Sequence, residues 1–114
     1  MEITLVDKTI TREQLKAAWP YYEEVVKAVV DVEKGVIAIG GEMHADEEQF
    51  LLRSGSKQEH LWGINILTAV MGSEMIQFDS IINVKPRTGN RTRGVDNPTT
   101  RETIKELVLS LIQN

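Results

Sequence analysis

The stretch Val25 to Glu33 alternates strictly enough to define a β-strand. Val26, Ala28, Val30 and Val32 fall on one face, and Val25, Lys27, Val29, Asp31 and Glu33 on the other. Lys34-Gly35 follows as a tight turn, because glycine accepts the positive φ that a hairpin needs. Val36-Ile37-Ala38-Ile39 then returns with apolar side chains on both faces. Such a strand sits centrally in a sheet and is covered on both sides. A hairpin of this kind commits the chain to a largely antiparallel sheet.

The flanking segments fit around it. Ile3 to Val6 alternates and predicts a short edge strand. Thr11-Arg12-Glu13-Gln14 is a capping box, so a helix follows with Leu15, Ala18 and Trp19 on one stripe, ended by Pro20. Gly40-Gly41 breaks the central run. Asp46 is the expected cap of a short helix containing Phe50, Leu51 and Leu52, stopped at Ser54-Gly55-Ser56. Leu61 to Leu67 reads as a strand, with Trp62, Ile64 and Ile66 on one face. Met75 to Val84 reads as a further strand, with Gln77, Asp79, Ile81 and Asn83 on one face. Asn97-Pro98 opens a last helix, whose apolar stripe is Ile104, Leu107, Val108, Leu111 and Ile112. The expectation is one α+β domain over residues 1–114, with helices packed on one face of the sheet.

Composition narrows the function classes. The chain has 114 residues, enough for an independent core, and no cysteine, which excludes disulfides and thiolate chemistry. No apolar run approaches the roughly 18 residues of a membrane span, and Met1-Glu2-Ile3-Thr4 lacks a secretory layout. A soluble cytoplasmic protein without a membrane role is expected. Net charge is −4, with the acidic excess confined to residues 1–57. That argues against duplex DNA, whose affinity rests on phosphate neutralisation, and leaves room for a local anion site.

Four constellations carry possible chemistry. If the chain stays extended past Gly41, Glu42, His44 and Asp46 point to one side. Two carboxylates and an imidazole there are candidate metal ligands, or a base with its orienting acid. The plain alternative is a solvated strand end before a helix. His60 is the only other histidine, so a two-histidine metal site must use both; the plain alternative is an exposed strand start. Asn65, Asp79 and Asn83, with Gln77, form a polar row that is either a wet sheet face or a cleft floor, and Asp79 is its candidate base. Lys85, Arg87, Asn90, Arg91 and Arg93 lie in a loop with Gly89 and Gly94, without interleaved aromatic residues. Such a loop holds phosphate or carboxylate through guanidinium and backbone N–H contacts, or is merely solvated.

Val26-Lys27-Ala28-Val29-Val30-Asp31-Val32-Glu33-Lys34, Gly40-Gly41-Glu42-Met43-His44-Ala45-Asp46 and Gly55-Ser56-Lys57-Gln58-Glu59-His60-Leu61-Trp62-Gly63-Ile64-Asn65 resemble a family of short prokaryotic proteins classed as a domain of unknown function. So do Phe78 to Pro86 and Gly89-Asn90-Arg91; the family pattern often carries an acid where His60 stands. The resemblance covers most of residues 25–105 and implies no activity, cofactor or partner.

Three functional readings follow. The first is a binding or regulatory module for a small anion or a protein partner, using the 85–93 loop with Asn65 and Asn83. The second is a metal-assisted or acid-base hydrolase using Glu42, His44 and Asp46, with Asp79. The third is an RNA-associated protein using Arg87, Arg91 and Arg93. Two apolar strand faces also admit a homodimer through the sheet.

Overall fold

A computed structural model describes residues 2–18 and 24–113. The expected roles of Trp19 and Pro20 at the end of the first helix lie outside these residues. The strands are β1 (Thr4–Val6), β2 (Val25–Asp31), β3 (Val36–Ile39), β4 (Leu61–Leu67) and β5 (Ile76–Gln77). The helices are α1 (Arg12–Ala17), α2 (His44–Arg53) and α3 (Pro98–Leu111). The strands form one sheet in the order β1-β3-β2-β4-β5, every pair antiparallel.

The hairpin sits where its alternation requires. β2 lies in the middle, between β3 and β4. Asp31 builds the turn into β3: its Oδ1 accepts the N–H groups of Glu33 and Lys34, both at 2.9 Å, and Gly35 takes a φ of 68°. The Ser56 hydroxyl donates to the other carboxylate oxygen of Asp31 at 2.6 Å, which ties the segment after α2 to the hairpin.

The antiparallel α+β class is as the sequence predicts, but the helices do not share one face. Val26, Ala28 and Val30 pack with Ile37, Ile39, Trp62, Ile64, Ile66, Leu15 of α1 and Ile104, Val108 and Leu111 of α3. On the reverse of the sheet, Val29, Ala38 and Leu61 pack with Leu51 of α2. The reason was already in β3, which is apolar on both sides and so needs cover on both. The capping box of α1 forms as expected: Gln14 N–H donates to Thr11 Oγ1, and Thr11 N–H to Gln14 Oε1. Asn97 caps α3, its Oδ1 accepting from Thr99 and Thr100.

Two segments depart from expectation. The fifth strand ends after Gln77, and the chain continues through single-turn 3-10 helices at Ile81–Asn83 and Pro86–Thr88. Asn83 causes the departure, since its side chain takes the position a further strand residue would pair from. Its Oδ1 accepts the Gly63 N–H at 2.7 Å, and its Nδ2 donates to Gly63 O and Arg93 O at 2.9 Å. The second departure lies after Gly41. The chain does not stay extended; α2 begins at His44, and its N-cap is Met43 rather than Asp46. Asp46 occupies the first turn, where an acidic side chain complements the helix dipole, and Glu47 beside it is buried. Among the described residues, no helix is long and apolar enough to cross a membrane.

Candidate functional site: a basic cleft beside Trp62

Strand register places Lys27, Asn65 and Gln77 side by side across β2, β4 and β5. The start of α2 lies against this row. His44 is half-buried and its Nε2 lies 2.7 Å from the Ile64 carbonyl oxygen. A carbonyl only accepts, so Nε2 carries the proton. Burial lowers the His44 pKa, with Lys27 and Arg93 acting in the same direction against the Ile64 hydrogen bond and Asp79. The imidazole is therefore neutral at pH 7, with Nδ1 as its lone-pair nitrogen. Asn65 Nδ2 donates to Asp79 O at 3.3 Å, Arg93 Nε to Asp79 Oδ1 at 2.7 Å, and Lys27 Nζ to Glu42 O at 3.3 Å.

The structure thus brings His44, Asn65, Asp79 and Arg93 to one region of the sheet. The Asp79–Arg93 pair is more than half exposed and so adds little stability. Glu42 and Asp46 are exposed and do not join a ligand cluster with His44. A helical turn, unlike a strand, rotates positions two apart away from each other. Among the described residues no group of three His, Asp or Glu side chains is placed to hold a metal ion. The metal reading of Glu42, His44 and Asp46 therefore loses its geometric basis. His60 closes the 3-10 helix Gln58–His60, where its backbone oxygen accepts from Val32.

The loop after β5 divides its polar residues between scaffold and surface. Asn83 is fully buried and committed to Gly63 and Arg93, as above. Asn90 is also buried; its Nδ2 reaches Asn83 O and Gly94 O, both at 2.8 Å, while its Oδ1 accepts from Asp96 N–H at 2.7 Å. Both amides are consumed in holding the loop, which leaves them unavailable to an anion. Arg91 is exposed, with its N–H donating to Asp96.

Lys85 is the unexpected member. Only 7% of it is exposed. Its ammonium donates to Leu61 O and stands 3.9 Å from the centroid of the Trp62 ring. The methylene stem and the cation–π contact explain how a lysine sits here. Desolvation lowers its pKa to about 8, opposed by the charge of Glu48 on α2. Burial in turn raises the Glu48 pKa, opposed by Lys85 and by a hydrogen bond to the Gln58 side chain. Lys85 lines a cleft of about 300 Å³ with Gln58, Glu59, Val84, Pro86, Arg87 and Thr88. A second cleft of about 340 Å³ adjoins it at Thr88 and has Trp62, Asn90, Asp96 and Thr100 in its wall.

Sequence reasoning missed Gln58 and Glu48 as neighbours of the basic loop, and it missed Glu47. Glu47 is completely buried, its Oε2 accepts the Gly41 N–H at 3.1 Å, and burial raises its pKa to about 9. The signal was available: Glu47 stands four residues before the buried Leu51, so a helix starting at His44 places both on one face.

An antiparallel α+β sheet with a small basic cleft at its β4–β5 end defines a class of compact domain rather than an activity. The chain matches the family described as Protein of unknown function (DUF5674) over residues 4–111, and it belongs to that family. No curated protein and no solved structure matches it.

Proposed function

We propose that this chain is a binding module for a compact anion, seated in the cleft between Gln58 and Thr88. One observation carries the reading: Lys85 and Arg87 line the same small cleft with a single acid, Glu59. An ammonium has three donors, and Leu61 O takes one of them. Arg87 adds a planar fork suited to carboxylate or phosphate, and the Gln58 amide adds a neutral polar group. About 300 Å³ fits a small molecule. The overall charge of −4 makes any such attraction local rather than global.

The test is isothermal titration with inorganic sulfate of the wild-type chain and of Arg87→Ala. The module binds one sulfate, and loss of the guanidinium weakens binding at least fivefold. Equal, weak and non-saturating heats from both proteins would remove the reading.

A further inference from the structure

We infer that Lys85 is a carbonyl-capturing amine, and that the anion its cleft takes carries an aldehyde. The inference deepens the anion reading and rests on it. Three placements carry it. Lys85 lines the cleft while nearly all of the residue is withdrawn from water. The Trp62 ring at 3.9 Å and the Leu61 carbonyl hold it in one place. A carboxyl group, Glu48 on α2, acts on the amine through its charge. One Glu48 oxygen, Oε2, is buried with no hydrogen-bond partner among the described residues. It is an acceptor with nothing yet to accept.

An amine withdrawn from water and under the charge of a carboxyl is an arrangement that imine formation uses. The Lys85 Nζ lone pair attacks the aldehyde carbon, a C–N bond forms, and the C=O π pair moves to oxygen. A proton transfers from nitrogen to that oxygen and gives a carbinolamine. The second nitrogen proton then passes to the hydroxyl, which leaves as water. The sum is amine plus aldehyde giving imine plus water, with no oxidant or reductant. The lowered pKa of about 8 supports this, because roughly a tenth of the amine is free base at pH 7. An ordinary exposed lysine has less than about one part in a thousand.

The experiment uses the full chain with glyoxylate, the smallest aldehyde bearing a carboxylate, and cyanoborohydride at pH 7. Peptide mapping reads the reduced adduct, and acetate serves as an anion that cannot form an imine. Amide chemical shifts of residues 58–59, 84–85 and 87–88 follow both anions. The expected result is cleft shifts with both anions and an adduct on Lys85 at least about tenfold faster than on any other lysine. Cleft shifts with both anions but no preference for Lys85 would overturn the inference and leave the anion module standing. Absence of cleft shifts with either anion would remove the module, and the inference with it.

Discussion

The side-chain amide of Asn83 grips the backbone of Gly63 from both directions, accepting its N–H at 2.7 Å and donating to its carbonyl at 2.9 Å. The amide thereby completes the edge of β4 where β5 has already ended. Gly63 allows the approach, because a Cβ there would lie 2.6 Å from the Cβ and Oγ of Ser80. The pair fixes the path of the whole loop that carries the basic residues.

Asn83→Ala removes those bonds and leaves buried backbone groups of Gly63 unpaired. Each such group costs about 1–3 kcal/mol, so a loss of about 3 kcal/mol is expected in urea unfolding. Gly63→Ala should destabilise similarly through its clash with Ser80. A change under about 0.5 kcal/mol in either variant contradicts this role for the contact.

Glu47 makes stability fall as pH rises. Its folded pKa of about 9 exceeds the ordinary value of 4.5, so the folded state binds the extra proton between those values. Stability is greatest at the acid end of that window and declines until Glu47 ionises near pH 9. Glu47→Gln keeps the shape and cannot ionise. Thermal melts from pH 5 to 9 should show a decline in the wild type that this variant flattens.

His44 acts with the opposite sign. Its pKa is lowered on folding, so the unfolded chain takes up a proton first as pH falls below 6.5. Stability from this residue is complete above 6.5 and is lost progressively below it. Nitrogen-15 spectra of the imidazole should show the neutral Nε2–H tautomer at pH 7, held by the Ile64 carbonyl. A charged ring at pH 7 contradicts the assigned geometry.

Much of the frame was legible because its signals are local and periodic. The β2–β3 hairpin, β4, the Thr11–Gln14 box and the stripe of α3 each repeat with the period of their element. The fifth strand was not legible beyond Gln77, because its alternation continues through residues that tertiary contacts pull elsewhere. Ser80 and Asn83 turn inward to Gly63, and Ile81 is left exposed. The site was half legible. The basic loop announced itself by composition, yet nothing in the local sequence says that Lys85 lies on Trp62, or that Asn83 and Asn90 are structural. Those facts depend on contacts between residues seven to twenty-four positions apart.

Anion capture as proposed for the cleft would depend on the protonation of Lys85, which gives the account its sharpest test. Sulfate keeps its charge over the range in which an amine near 8 loses its own. Amide shifts should therefore saturate and stay confined to residues 58–59, 84–85 and 87–88 at pH 7, with affinity falling at least threefold by pH 9. Shifts that spread over Arg53, Arg91 and Arg93, or an affinity unchanged between pH 7 and 9, would contradict it.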